Sequence, residues 1–234
     1  MTFPLVEPSP GDVRLTTHRE IIRQRIDQEP MLFVRLADLI LNYLVNGNVF
    51  ASERYFPPMS YVRRIGNWLN AMEYFVLGHE YGHCWLGHFQ RAARQIPHGI
   101  YDEAAVSWQQ EYEADAFGLR VMLDCMRANS EQTTLAYAAV EVFFSGIELI
   151  SRSLARFSDV EYTDEGSLSH PPVEARRKAL REALRKQVDA TEYEQSIAFA
   201  DAVQEVVHIM APWLDEEVLT QRAKGLQLHR KWLS

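Results

Sequence analysis

Apolar residues recur every three or four positions along almost the whole chain, and no segment shows the strict alternation of a half-buried strand. This pattern predicts amphipathic helices that are separated by connections containing proline and glycine. The helices are predicted from near residue 17, and then over about 30–46, 67–90, 102–129, 130–157, 171–187, 190–210 and 212–232. Residues 47–59 are predicted to be a loop, in which "NVFA" could form a short edge strand. The fold class expected is mainly α, a single compact helical domain over residues 1–234 with at most a short β element.

The segment "FVLGHEYGHCWLGH", residues 75–88, places three histidines and one glutamate in a helix that is otherwise largely apolar. His79 and His83 are four residues apart, so their side chains project from one face of the helix, one turn apart. Two neutral imidazoles on such a face can bind one divalent cation, and zinc is the usual choice for nitrogen and oxygen donors. Glu80 projects away from that line and can serve as a general base towards a water molecule.

HExxH also arises by chance, so an alternative is that both histidines lie in the core and bind backbone groups. His88 lies off the line formed by the first two histidines. It is predicted to belong to a second layer or to be solvated, and a role as a fourth ligand is the lesser alternative.

A site with two histidines needs a third protein ligand, and the next predicted helix offers one. The segment "QQEYEADAFG" places Glu111 and Asp115 four residues apart on the inward face of that helix. Two buried carboxylates without partners would be strongly destabilising, whereas a cation and a ligand histidine would satisfy both. Glu111 is therefore predicted to bind zinc, and Asp115 to accept the free ring N–H of a ligand histidine. The alternative is an acidic helix face in contact with solvent.

HExxH followed by ExxAD resembles the gluzincin metallopeptidases, in particular the group that contains HtpX and the CAAX-prenyl endopeptidases. The segment "SLSHPPVEARRKAL" is similar to the Ser/Thr-His-Pro-Pro stretch that opens a helix in that group. The resemblance covers roughly residues 75–88, 108–119 and 168–180. The HExxH motif in a helical setting is also similar to that of the bacterial Lit-type phage-exclusion peptidases.

The resemblance implies a zincin-like metallopeptidase domain, with zinc-site helices over about 67–90 and 102–129. His79, His83 and Glu111 are implied as zinc ligands, with Glu80 as the catalytic base. Asp115 is implied as a residue that supports a ligand from outside the ligand set.

The segment 168–187, which contains the His-Pro-Pro sequence, carries the last implied active-site residue. His170 is implied to line the site, where it would donate a hydrogen bond to the oxyanion; the alternative is a residue that caps the following helix. Arg176 or Arg177 matches the arginine of the family's segment, and the sequence leaves the choice open. The basic residues of this helix are expected to form a solvated face, and the alternative is a face that binds an acidic partner or an anionic membrane. They are Arg176, Arg177, Lys178, Arg181, Arg185 and Lys186.

Two other zinc-peptidase patterns do not match this chain, and one departure limits the resemblance to the HtpX group. The metzincin pattern needs Gly and His where this chain has Leu86 and Phe89, and the thermolysin-type Asn is replaced by Gln110. HtpX and the CAAX-prenyl endopeptidases are membrane proteins, whereas this chain shows no spanning segment, since Glu141 and Glu148 interrupt its most apolar stretch. Their membrane-protein substrates are therefore not carried over.

Composition narrows the class of protein further. The formal charge of −8 does not favour a nucleic-acid partner. Cys84 and Cys125 are expected to be reduced core thiols. The N-terminal residues lack the pattern of a secretory signal, so we expect the chain to be cytoplasmic.

The leading hypothesis is a zinc-dependent endopeptidase that acts on a protein or peptide substrate. We expect it to be restrained either by a narrow substrate range or by a regulatory protein partner. The first alternative is a helical binding or regulatory domain with a structural or vestigial zinc site, closed by His88 or His170 as fourth ligand. The second alternative is a metal-free core.

Overall fold

The computed structural model describes residues 5–9, 12–88, 100–129, 131–167 and 170–232. Within these residues, strands β1 (Val6–Ser9) and β2 (Asp12–Leu15) form an antiparallel hairpin. The helices that follow are α1 (Arg19–Gln28), α2 (Met31–Asn46), α3 (Met59–Trp85), α4 (Ile100–Ala128), α5 (Thr133–Phe157), α6 (Val173–Arg185) and α7 (Ala190–Ala223), and a 3-10 turn lies at Arg230–Trp232. The prediction of a mainly α fold with a short β element is confirmed.

The β element lies in the N-terminal hairpin, and the prediction of a strand in "NVFA" is wrong. The backbone of residues 48–51 forms bends and a turn. The amide of Phe50 donates to Asn48 Oδ1 (3.0 Å), and the amide of Ser52 donates to the carbonyl of Val49 (3.1 Å). These local hydrogen bonds hold the backbone in a turn, in which it cannot pair with a neighbouring strand.

The helix that carries HExxH is longer at its N-terminus than predicted. It begins at Met59 instead of near residue 67, directly after Pro58, whose carbonyl accepts the amide of Tyr61 (2.8 Å). Proline is compatible with this position because its missing N–H would be unpaired at a helix start. The helix ends at Trp85, about five residues before the predicted end at about 90, and residues 86 and 87 form a turn.

The two helices predicted over 190–210 and 212–232 are one helix, α7, which continues through Pro212 and ends at Ala223, so the predicted end at about 232 is wrong. Proline removes one hydrogen bond from the helix interior and crowds the preceding turn. Ala211 and Leu214 are buried on either side of it and belong to the core of this region, so packing holds the helix together across the break.

The chain forms two compact units. Unit 1 comprises Met1–Val62, Ser145–Tyr162 and Asp201–Ser234, and unit 2 comprises Arg63–Phe144 and Thr163–Ala200. The prediction of a single domain over 1–234 is not tested by this division and stays a prediction.

The core of unit 1 is built by α2, the second half of α5 and most of α7. Its buried members are Ala37, Ile40, Leu44, Leu149, Phe157, Ala211, Leu214 and Val218. Asp215 lies beside this core and accepts hydrogen bonds from Arg152 Nε (2.8 Å) and Nη2 (2.7 Å). This carboxylate is therefore paired, as a buried charge must be.

In unit 2, helices α3 and α4 approach each other backbone to backbone at two glycines. A Cβ atom on Gly118 would lie 2.6 Å from the carbonyl oxygen of Phe75 and 2.9 Å from the amide nitrogen of His79. A Cβ atom on Gly78 would lie 2.9 Å from Gly118 Cα. Any side chain at either position would force the helices apart, so this contact requires glycine.

The glycine contact determines which residues of α4 lie beside HExxH. Asp115 and Glu111 precede Gly118 by about one and two helical turns, on the same face of α4. Both are buried, and so is Met122 on the continuation of that face. The inward stripe predicted for this helix is thus present in its described part.

Helix α5 is long and apolar enough to cross a membrane by length and composition alone. Of its most apolar window, 56% is buried inside the protein, as in a core helix. In unit 2, its residues Phe143 and Phe144 each make an edge contact with Phe75 of α3, with ring centroids 5.9 Å apart. The expectation of no membrane span stays a prediction.

Both cysteines are free thiols. Cys125 is partly buried, whereas Cys84 is exposed, so the prediction of a core thiol is wrong for Cys84. Its side chain lies on the outward face of α3, about 100° around the helix from His83.

The glycine contact yields a test of the packing of unit 2. Gly118→Ala should lower the free energy of unfolding by about 1–3 kcal/mol, because the added methyl group overlaps the backbone of α3. Gly66→Ala is the matched control, since a Cβ there meets nothing within 4 Å. It should raise stability by about 0.5–1 kcal/mol through helix propensity. Urea unfolding of both variants measures the difference, and equal stabilities would show that the helices do not approach at Gly118.

Candidate metal centre

Three side chains that could hold a metal ion meet at the contact between α3 and α4. They are His79 and His83 of α3 and Glu111 of α4, and their ligand atoms all lie within 4.8 Å of one another. The two histidine Nε2 atoms are 3.1 Å apart. Glu111 places Oε1 3.3 Å from His83 Nε2 and Oε2 3.6 Å from His79 Nε2. The structure thus brings together the three predicted ligands, which we call the donor cluster.

Asp115 holds His79 from outside the donor cluster. Its Oδ1 lies 2.9 Å from His79 Nδ1. The same carboxylate accepts two hydrogen bonds from Arg176, Nε to Oδ2 (2.8 Å) and Nη2 to Oδ1 (2.6 Å). A carboxylate paired in this way accepts hydrogen bonds and does not donate them, so the proton of the neutral imidazole lies on Nδ1. The Nε2 lone pair of His79 is then directed into the donor cluster.

Arg176 is the arginine of the His-Pro-Pro segment that reaches the site. Its guanidinium also lies over the ring of Phe144, 5.0 Å from the centroid. Arg177 instead donates from Nε to Glu141 Oε1 (2.6 Å). Both arginines are buried, so the expectation of a solvated basic face is wrong for them. Burial is the largest single influence on the pKa of Arg176 and lowers it. The hydrogen bonds to Asp115 and the nearby negative charges outweigh burial, so the pKa is raised.

His88 is buried, and both of its ring nitrogens are engaged away from the donor cluster. Its Nδ1 lies 2.9 Å from His83 Nδ1, and its Nε2 lies 3.1 Å from Glu113 Oε2. This places it in the second layer that the sequence predicts and not among the ligands. Sequence reasoning missed Glu113, which stands two residues after Glu111 and off the inward stripe. The only signal for it is the segment "EYEAD", whose middle glutamate nothing else explains.

The donor cluster fits a divalent cation on the chemistry of its atoms. Glu111 Oε2 is buried and has no hydrogen-bond partner among the described residues. The Nε2 atoms facing it are lone-pair acceptors once the outer nitrogens carry the protons. Burial lowers the pKa of His83, and the neighbouring His79 lowers it further, which keeps this imidazole neutral and able to bind a metal. Two imidazole nitrogens and one carboxylate oxygen form a donor set that suits zinc.

Glu80 lies outside the donor cluster, as its position next to His79 predicts. Its side chain is exposed. It is close enough to His83 for its charge to raise the pKa of that imidazole, as a minor effect. The carboxylate is therefore accessible to solvent and near His83.

His170 lies at the edge of the donor cluster, with Nε2 3.8 Å from Glu111 Oε2 and with 59% of its side chain exposed. Its loop is held locally: the amide of Ser167 donates to the carbonyl of His170 (2.7 Å), and the His170 amide donates to Ser167 Oγ (3.0 Å). Trp108 of α4 donates from Nε1 to the Ser167 carbonyl (2.8 Å). Residues 168 and 169 of the predicted segment 168–187 lie outside the described residues.

The capping role considered for His170 belongs to another residue. Asp164 accepts the amides of Val173 (Oδ1, 2.9 Å) and Glu174 (Oδ2, 3.0 Å) at the start of α6. A carboxylate at a helix N-terminus satisfies unpaired amides and interacts favourably with the helix dipole. The imidazole of His170 is therefore not needed for the helix start.

Glu111 Oε2, which has no hydrogen-bond partner and lies 3.8 Å from Arg176 Nη2, yields a stability test that involves no activity. With a chelator present at neutral pH, Glu111→Gln should raise the free energy of unfolding by about 1–3 kcal/mol, because the amide N–H groups can donate to the facing Nε2 atoms. The same substitution should remove any stabilisation by added zinc.

The matched control is Glu141→Gln, which changes a buried glutamate whose partner is Arg177. It should be destabilised by up to about 3–5 kcal/mol, because a buried cation loses its countercharge. If Glu111→Gln and Glu141→Gln lose stability equally, the donor cluster is an ordinary set of satisfied polar groups. Thermal and urea unfolding, with chelator and with zinc, measure all four cases.

Comparison with known proteins identifies the family. The model of the family Peptidase U49, the Lit-type peptidases, matches residues 60–198, which include every residue of the site described above. No curated protein and no solved structure matches the chain. The match supports a peptidase and the likeness to Lit-type peptidases, but not the likeness to HtpX and the CAAX-prenyl endopeptidases in particular. Because the match covers more than half of the chain, the protein belongs to the Peptidase U49 family.

Proposed function

We propose that this member of the Peptidase U49 family is a zinc-dependent endopeptidase of the gluzincin type. The observation that carries the proposal is the buried Glu111 carboxylate, whose Oε2 has no hydrogen-bond partner among the described residues. That oxygen faces two imidazole nitrogens which are themselves acceptors. Arg176 places Nη2 3.8 Å from the same oxygen, but its hydrogen bonds go to Asp115. The three converging acceptors are thus without a hydrogen-bond donor, and a bound cation would account for their arrangement.

His79, His83 and Glu111 would hold the zinc ion. When bound, zinc polarises a peptide carbonyl and lowers the pKa of water towards neutrality. The remaining steps fall to the side chains. Asp115 keeps the His79 Nε2 lone pair directed at the cation, and Arg176 holds Asp115 in place with two hydrogen bonds.

Glu80 would be the general base and then the general acid. Its exposed carboxylate takes a proton from the attacking water as the new C–O bond forms at the scissile carbonyl. It returns that proton to the amide nitrogen as the C–N bond breaks, so the products are a carboxylic acid and an amine. A purely structural site would have no use for a carboxylate in this position.

His170 would stabilise the oxyanion that develops on the carbonyl. Its Nε2 lies at the edge of the donor cluster, and its largely exposed ring can meet a bound substrate. A hydrogen-bond donor that is already in place when negative charge develops lowers the barrier without reorganisation of its surroundings.

Membership of a peptidase family supports a protein or peptide as substrate. We further propose that the enzyme acts in the cytoplasm and is restrained by a regulatory protein partner, because an unrestrained cytoplasmic protease would damage its host. The formal charge of −8 supports the expectation that nucleic acid is not the ligand.

Glu80→Gln provides the central test. This variant should bind zinc with the stoichiometry of the wild type and lose about 10²–10⁴-fold in the rate of cleavage of an unfolded protein, because general acid–base catalysis is removed. Metal analysis and an assay for new protein termini measure the two quantities. Cleavage at the wild-type rate by zinc-loaded Glu80→Gln would falsify the mechanism.

The alternative of a structural zinc site requires a fourth protein ligand. His88 has both ring nitrogens in other hydrogen bonds, so His170 is the residue that this alternative needs. His170→Ala should leave zinc affinity unchanged and lower the catalytic rate by about 10²–10³-fold if its role is that of an oxyanion donor. A large loss of zinc affinity would instead favour the structural site. Competition with a chromogenic chelator measures the affinity, and the exposure of the side chain makes a folding defect improbable.

A further inference from the structure

We propose that Glu113 and His88 form a hydrogen-bonded chain that fixes the tautomer of His83 and so positions its Nε2 for the cation. The inference rests on the proposed metal site and assigns two positioning residues to it. The chain runs from Glu113 Oε2 to His88 Nε2 (3.1 Å), and from His88 Nδ1 to His83 Nδ1 (2.9 Å).

The positions of the protons follow from the types of atom in the chain. Glu113 Oε2 is a carboxylate oxygen and accepts, so His88 Nε2 carries the proton of that neutral imidazole. His88 Nδ1 then has a lone pair, and the hydrogen bond to it must come from His83 Nδ1–H. His83 Nε2 is left with a lone pair that faces the donor cluster. The opposite direction would place a second proton, and with it a positive charge, on the ring whose Nδ1 lies 2.9 Å from His83, which disfavours a cation at the donor cluster.

The chain is anchored at both ends. Glu113 is one-third exposed, and its other oxygen, Oε1, accepts a hydrogen bond from Gln109 Nε2 (3.0 Å) one turn earlier in α4. At the other end, Gly87 has a φ of 71° and follows the last turn of α3, where its amide donates to the Cys84 carbonyl (3.2 Å). This left-handed residue reverses the backbone, so that the ring of His88 returns to that of His83.

The two histidines of HExxH are therefore oriented in different ways. His79 contacts a carboxylate directly, that of Asp115, which Arg176 holds. His83 reaches a carboxylate through one intervening imidazole. Both arrangements place the ring proton on Nδ1 and the lone pair on Nε2, which is the state that a metal ligand requires. No separate structural need explains why His88 is buried with both nitrogens satisfied.

Zinc affinity tests the hydrogen-bonded chain Glu113–His88–His83 independently of catalysis. His88→Leu and Glu113→Ala should each weaken zinc binding by roughly 10–100-fold, the usual effect of losing an outer partner of a ligand histidine. His88→Gln should recover part of the affinity, because its side-chain oxygen can accept from His83 Nδ1–H. His208→Leu, which removes an exposed histidine from unit 1, is the control and should bind as the wild type does.

Nitrogen NMR of the metal-free protein gives a second readout that a merely structural role would not move. His83 should be a neutral imidazole with its proton on Nδ1 in the wild type, and a mixture of tautomers in His88→Leu and Glu113→Ala. Circular dichroism and thermal unfolding in chelator establish that the variants fold, and the one-third exposure of Glu113 makes Glu113→Ala the safer of the two.

The outcomes separate this inference from the proposed function. If the wild type binds zinc and both His88→Leu and Glu113→Ala bind it equally well, the chain has no role in positioning His83. A His83 proton found on Nε2 in the wild type overturns the inference as well. If the wild type binds no zinc, the proposed function fails, while the tautomer measurement still decides whether the chain orients His83.

Discussion

The site depends on the approach of two helix backbones at Gly78 and Gly118. A methyl group at Gly118 would overlap the backbone of α3 at His79, so no other residue allows this separation. At this distance, short side chains suffice to cross between the helices: Asp115 reaches His79 directly, and Glu111 reaches both histidines. If the helix axes were separated by the ordinary distance of roughly 8–10 Å, the same side chains would not contact one another. Water could then hydrogen-bond to each of them separately.

Around this contact, polar groups are arranged so that their protons point outward and their lone pairs inward. Arg176 and Asp115 set the proton of His79, and His88 lies against His83 on the opposite side. Within this site, the buried side-chain atom without a hydrogen-bond partner is Glu111 Oε2, which belongs to the donor cluster. Proteins retain such locally unfavourable arrangements mainly where function requires them.

The spacing of residues along the chain was sufficient to predict the members of the cluster, because helical geometry is a local property. His79 and His83 share a face by their separation of four residues, and so do Glu111 and Asp115. Spacing could not predict which of Arg176 and Arg177 meets Asp115, since both are adjacent in a helix whose rotation depends on packing against α4 and α5. Glu113 was missed because its partner, His88, returns to the site only through the turn at Gly87, which helical spacing does not predict. Pro212 misled the helix assignment because burial on both sides outweighs the local preference of proline.

The loop that carries His170 is fastened by contacts that exist before any substrate arrives. Asp164 ties its beginning to the first amides of α6, and Trp108 ties Ser167 to α4. Restricting the backbone of one residue costs about 1–2 kcal/mol of free energy at room temperature, because conformational entropy is lost. Here that entropy is given up at Ser167 and His170 when the chain folds, so the binding free energy of a ligand is not reduced by the need to organise their backbone.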